Sequence, residues 1–230
     1  MLKRLLRLLL IKVPIGFLIV SLSWVLLYKV VPVKWTPLML KRSIENIDQK
    51  GYRNHRTWVD LDEIAPVMVR AVIASEDGRF MEHWGFDVKE LLKMKNEHNK
   101  KGKKIRGCST ISQQVAKNCF TFGSRTWTRK AIEAYYTVLI EFIWGKERIL
   151  EVYMNIAETG KGLYGVEAAC RRYFKCTAEE LYLDDAVALA CVLPKPLART
   201  PMSIRTTHSS KLSRLTKETL ELIANQHLDR

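Results

Sequence analysis

Between Val13 and Tyr28 the chain reads VPIGFLIVSLSWVLLY, a run without a single charge. Lys29 interrupts it, and VVPV carries the apolar character on to Val33. With the Lys29 ammonium reaching back toward water, about 20 residues are available, enough for one helix across a bilayer. Pro14 and Gly16 would weaken a soluble helix but are tolerated near the end of a membrane helix. Lys3, Arg4, Arg7 and Lys12 precede the run with no acidic residue among them. A cleaved signal peptide starts in the same way, but no small-x-small cleavage site follows, so the segment reads as an uncleaved anchor. The basic flank places the N-terminus in the cytoplasm and everything after the anchor outside it. The chain therefore divides into a basic tail (1–12), an anchor (13–33), a juxtamembrane connector (34–58) and a folded domain (59–230).

The 230 residues suffice for one well-cored domain plus this extension. Lys and Arg outnumber Asp and Glu by 38 to 24, a net charge of +14 that predicts an anionic partner. Nucleic acid is excluded as that partner by the anchor and by the lack of any zinc-finger, helix-turn-helix or aromatic RNA-binding motif. A membrane surface or a phosphorylated substrate remains. Five cysteines, at 108, 119, 170, 176 and 191, form no C-x-x-C pair. They read as small buried hydrophobes, with a Cys170–Cys176 disulfide as the alternative.

Helical signals dominate. PVMVRAVIAS opens on Pro66, which suits a first helical turn. Ser109 is placed to cap TISQQVAKN, and Asp184 to cap DAVALACVL before Pro194 and Pro196. Ile132, Tyr136, Leu139 and Ile143 recur at helical spacing and predict a core stripe. KERILEVYMNIAE predicts a further helix, closed by a turn at Gly160, Gly162 and Gly165. An amphipathic helix is expected within 206–226. The segment from Lys95 to Gly107 is too polar to bury a face and predicts a mobile loop. Almost nothing alternates with period two, so the class is mainly α.

Several groups of residues could carry chemistry, and each has a bland reading too. Glu76 and Asp77 form an acidic pair where the apolar periodicity breaks, as a helix end or as a base at the lip of a cleft. Thr110, Gln114 and Lys117, at i, i+4 and i+7, share one helix face, which alone is only amphipathic. Arg129 and Glu133 at i, i+4 read alone as a surface ion pair. His83 alone is more often structural than a base, and no clear metal-ligand set stands out.

Taken together, the stretches EDGRFMEHWGFD, RGCSTISQQVAKN, RKAIEAYYTVLIE, KERILEVYMNIAETGKGLYGVEAACRRYF and ALACVLPKPLARTP occur in an order that resembles the five sequence blocks of the peptidoglycan glycosyltransferases (glycosyltransferase family 51). The resemblance spans roughly Val59 to Pro201. With no penicillin-binding domain after Arg230, it points to the monofunctional biosynthetic branch. It implies a lysozyme-like, mainly helical fold with a membrane-embedded lower lobe. It also implies polymerisation of lipid II with inversion at the donor anomeric carbon and release of undecaprenyl pyrophosphate. Carried over by motif, Glu76 is the base and Glu133 the second catalytic-site acid. Asp77, Phe80, His83, Thr110, Gln114, Lys117 and Arg129 are then the substrate-binding residues. Cys108 and Gly78 depart from the family's usual Gly and Arg at those two places, which puts local loop shape in question.

The residue types suit that chemistry. A sugar hydroxyl attacks well only as a base takes its proton, a contribution of about 10²–10⁴-fold. The departing pyrophosphate gathers charge that Lys117 and Arg129 can neutralise, and the same cations are expected to keep Glu76 ionised. The resemblance implies no bound prosthetic group, although a divalent cation assists some family members. It implies as partners lipid II, the growing lipid-linked strand, membrane lipids and other cell-wall synthesis proteins, at the bacterial inner membrane. Two alternatives stand beside it. A muramidase or lytic transglycosylase shares the architecture and a catalytic glutamate but needs a donor-side acid rather than cations for a pyrophosphate. A basic, non-enzymatic membrane-surface protein would need no acid there at all.

Overall fold

The computed structural model describes residues 8–101, 109–122 and 126–225. A short π-helical turn, Leu8–Lys12, runs into helix α1, Val13–Val30. The apolar stretch Leu10–Val30 has 21 residues and a mean hydropathy of 2.2. At 1.5 Å per residue it is about 31 Å long, matching a bilayer's hydrocarbon core. Only Ser21 and Val25 of α1 are buried. They mark the seam where α1 leans on α6 (Trp127–Ile143). Along it the Ser21 and Tyr135 hydroxyls lie 2.7 Å apart, and Trp144 Nε1 donates to the Val25 carbonyl at 2.8 Å. The Arg148 guanidinium donates to the carbonyls of Tyr28 and Val31, satisfying acceptors that a helix end leaves open.

After α1 the connector forms helix α2, Pro37–Glu45, with Thr36 as its N-cap. Strand β1, His55–Arg56, then pairs in parallel with β3, Leu163–Tyr164, which pairs antiparallel with β2, Glu158–Gly160. These strands are so short that the mainly helical expectation stands with one small sheet added. Gly162 makes the pairing possible. Its φ is +65°, and a Cβ there would lie 2.6 Å from the Arg53 carbonyl.

The remaining helices are α3 (Pro66–Glu76), α4 (Val88–Lys101), α5 (Ile111–Phe120), α7 (Gly145–Ile156), α8 (Val166–Tyr173), α9 (Leu183–Ala190), α10 (Pro201–Thr207) and α11 (Ser209–Asn225). Helix α3 packs on α9 and α11, while α5 packs on α6 and α7. Met68, Val72, Ile111, Val115, Ile140, Ile149 and Leu189 belong to one continuous core between these layers.

Four expectations are corrected. Helix α4 extends to Lys101, so the first half of the segment read as a loop is helical and its remainder lies outside the described residues. Lysine, asparagine and glutamate there project to solvent from a helix that needs to bury little of itself. The cap of α5 is Thr110, not Ser109, in a reciprocal pair with Gln113. Asp184 lies within the first turn of α9, which begins at Leu183 after Tyr182, rather than capping it. The buried face of α6 is Glu133, Tyr136, Thr137, Ile140 and Glu141, whereas Ile132 is 41% exposed. Cys119, Cys170 and Cys191 are buried and Cys176 half-buried, all as free thiols, so no disulfide joins Cys170 to Cys176. Cys108 lies outside the described residues.

Candidate active site

Helix α3 ends at Glu76 because Asp77 leaves helical geometry, at φ −162° and ψ 70°. Asp77 is then used twice. Its Oδ1 lies 2.9 Å from His83 Nε2, and its Oδ2 accepts from the Ile111 amide at 3.0 Å. A carboxylate at the N-terminus of α5 is favourable there, because the first amides of a helix lack intrahelical acceptors. This link docks the end of α3 against the start of α5. One turn further along α5, Gln114 Nε2 donates to Glu76 Oε2 at 2.8 Å. Glu76 Oε1 is buried and accepts no hydrogen bond among the described residues.

Burial raises the Glu76 pKa; the Gln114 hydrogen bond and the charges of Lys211 and Lys117 offset this only in part, and Asp77 adds to the rise. Desolvation therefore outweighs the nearby cations in setting the direction of the shift. Lys117 follows Gln114 on the same face. Its side chain keeps solvent-accessible surface, yet the protein around its ammonium lowers its pKa. Glu133 opposes that change, whereas Arg129 and Lys130 reinforce it.

Thr126 caps α6 by accepting from the Arg129 amide at 3.2 Å. Arg129 Nη1 donates to Glu133 Oε2 at 2.8 Å, and Lys130 pairs with Glu133 Oε1. Glu133 is 2% exposed, so one buried carboxylate gathers two cations beside Lys117. This is no ordinary surface ion pair.

Phe80 and Thr110 do not present themselves to a substrate. Phe80 has no exposed surface, and Lys146 Nζ stands 4.3 Å above its ring. Thr110 is buried at the N-cap, its hydroxyl donating to the Gly85 carbonyl at 2.7 Å. Gly85 sits at φ +78°, where a Cβ would come within 2.6 Å of Thr137 Cγ2. Asp77 and His83, also largely enclosed, brace the acidic corner rather than line its surface.

Three groups at the site carried no sequence signal. Lys211, from α11, donates to the Cys191 carbonyl at 3.5 Å, where Arg199 also donates, and its charge acts on Glu76 more strongly than that of Lys117. Tyr153, from α7, has its hydroxyl 3.5 Å from Gln114 Oε1, where it steers the amide. Lys146 donates to Glu141 Oε1 at 2.8 Å and to the His83 carbonyl at 2.6 Å, with Ser112 sharing Glu141. All three lie on ordinary amphipathic or apolar helix patterns, and only packing turns them toward the acidic corner.

Although no metal-ligand set stood out in the sequence, Asp77, His83 and Asp87 bring one donor atom each within 4.8 Å of one another. These donors are already engaged. Arg79 grips both oxygens of Asp87, the Glu90 amide adds to one of them, and Ile111 and His83 hold Asp77. A divalent cation would have to displace the Arg79 guanidinium, so these residues fit one poorly.

A family model described as Transglycosylase matches residues 41–221. The chain is 48% identical over 187 residues to the biosynthetic peptidoglycan transglycosylase of Bdellovibrio bacteriovorus, covering 81% of this chain and 74% of that protein. It is 47% identical over 195 residues to the protein of the same name from Caulobacter vibrioides, covering 85% and 82%. With that of Citrobacter koseri the identity is 49% over 173 residues, covering 74% and 72%.

Proposed function

This chain belongs to the transglycosylase family and is a peptidoglycan glycosyltransferase, and from that premise we propose that it polymerises lipid II with Glu76 as the general base. The observation that carries the assignment is the asymmetry of that carboxyl group. Gln114 holds one oxygen, and the other is buried without a partner among the described residues. An acceptor hydroxyl that reaches Oε1 loses its proton there as its oxygen bonds to the donor's anomeric carbon. The bond to pyrophosphate breaks on the opposite face, which inverts the configuration. A carboxylate made more basic by burial is a better proton acceptor in that step. Lys117 and Arg129 take up the charge that collects on the departing undecaprenyl pyrophosphate. Glu133 holds Arg129 and Lys130 in place for it, as a positioning residue.

The setting is the bacterial inner membrane, with α1 as its single crossing, the basic N-terminus in the cytoplasm and the domain outside. Exposed apolar side chains on α6, such as Phe142 and Val138, support a lower face in contact with lipid. Lipid II, the growing strand and cell-wall synthesis proteins are the partners that follow.

A raised glutamate pKa also suits the acid of a muramidase. That reaction needs a second, available carboxylate, and here Asp77 is bound by Ile111 and His83 while Glu133 is bound by two cations. Purified protein incubated with fluorescent lipid II should give polymer that an added muramidase degrades, and Glu76→Gln should give at least about 10²–10⁴-fold less. Cleavage of preformed glycan by the wild type, or unchanged polymerisation by Glu76→Gln, would overturn the proposal.

A further inference from the structure

Away from Glu76, the connector and the far side of the sheet enclose a groove of about 920 Å³. Lys50, Arg53 and Arg56 stand on the connector wall, and Lys161, Arg172 and Lys175 face them, with no Asp or Glu among the lining residues. None of these six has an ion-pair partner among the described residues. Arg171, which also lines the groove, differs in pairing with the buried Glu167. So many unpaired cations around one concavity repel one another, and a bound anion relieves that repulsion.

The groove's position selects the anion. The Arg56 guanidinium lies 4.1 Å from the centre of the Trp35 ring. Trp35 in turn is tied to the last turn of α1, its carbonyl accepting from the Tyr28 hydroxyl at 3.2 Å. Tyr28 and Trp35 are the aromatic residues at the outer end of the apolar helix, where such rings sit at headgroup level. Arg56 therefore stands at the height of lipid phosphates, partly buried and with no carboxylate beside it among the described residues, and burial lowers its pKa.

We propose that the groove between residues 49–57 and 161–175 binds the phosphodiester headgroup of an anionic phospholipid in the leaflet facing the domain. This rests on the reading of α1 as a membrane anchor, and it adds a lipid site separate from the one that joins sugars. Phosphate oxygens accept from Arg53, Arg56 and Arg172, and the lysines neutralise the remaining charge. Occupancy would hold the domain at one tilt, so that Glu76 meets lipid-linked substrate at constant height.

The test uses the full chain in neutral detergent, with native mass spectrometry counting bound phosphatidylglycerol or phosphatidylcholine. Wild type should retain phosphatidylglycerol in preference by on the order of tenfold or more. The exposed triple variant Arg53→Gln, Arg172→Gln, Lys175→Gln should lose that preference. Lys89→Gln, Lys93→Gln, Lys100→Gln, which removes as much charge from α4, should keep it. Equal loss in both variants would overturn the proposal in favour of general electrostatics. Displacement of the lipid by millimolar inorganic phosphate would make the groove a free-anion site instead. Unchanged lipid retention in the groove variant with a shortened glycan product would assign it to the strand. Polymerisation by the same samples tests the other reading separately: an inactive wild type that still selects phosphatidylglycerol would sink the glycosyltransferase mechanism and leave the lipid site standing. If the protein left membranes in high salt alone, the anchor itself would fail, and the lipid site with it.

Discussion

Gln114→Leu tests how Glu76, the proposed base, is tuned. The side chain keeps roughly its size but can no longer donate the 2.8 Å bond to Glu76 Oε2. A hydrogen bond to a charged group contributes about 1.5–3 kcal/mol. It stabilises the carboxylate and not the carboxylic acid, so its loss shifts the ratio of ionised to neutral Glu76 by about 10–150-fold toward neutral. Burial has already raised this pKa, and the substitution raises it further. A base works only when deprotonated, so the acid limb of the pH profile moves to higher pH. The measurement is kcat/KM for fluorescent lipid II from pH 5 to 9, in one detergent at constant ionic strength. On the acid limb the variant should fall below wild type by about 10–150-fold. At the alkaline plateau, where Glu76 is ionised in both proteins, the two should converge. An unmoved acid limb would refute the reasoning. An equal loss at every pH would mean that Gln114 acts on the substrate rather than through Glu76.

Glu76→Gln should lower polymerisation by at least about 10²–10⁴-fold while leaving substrate binding intact, as measured by turnover and by retention of labelled lipid II. Because the pKa of Glu76 is raised in the fold, the native state is favoured while this group stays protonated and loses that advantage as pH rises through the raised value. The same variant should therefore melt higher than wild type at pH 8 but not at pH 4. Glu141→Ala leaves Lys146 and Ser112 without their shared acceptor in a buried corner, and should cost about 3–5 kcal/mol in thermal or denaturant unfolding. Lys175 holds φ 63° just past α8, at a place where glycine usually ends a helix, so Lys175→Gly should stabilise by about 1 kcal/mol and raise the melting midpoint.

Some of this architecture is legible in the linear chain because its causes are local. An uncharged run of bilayer length has few alternatives to a membrane helix, and α1 forms there. Pro66 and the break at Asp77 bound α3, which leaves Glu76 at its end. Thr110, Gln114 and Lys117 share a face because a helix repeats every 3.6 residues, whatever surrounds it. The Arg129–Glu133 contact follows from the same geometry.

What surrounds a face is another matter. Periodicity reports which residues are apolar and not which are enclosed. On α6 it picks out Ile132, yet the fold buries Glu133, Thr137 and Glu141, whose polar groups find partners inside the domain. Burial also raises the Glu76 pKa despite the cations nearby, a direction that spacing along the chain does not give. Lys211 and Tyr153 reach the corner from helices 135 and 77 residues further along the chain than Glu76, and no spacing rule connects positions so distant. The cationic groove exists only because β1 lies beside β3, which Gly162 permits by carrying no side chain. Local pattern determined most of the helices and which residues share a face on each. Tertiary packing alone decided which charges meet, because electrostatic strength depends on distance and desolvation, and both are set when the helices close on one another.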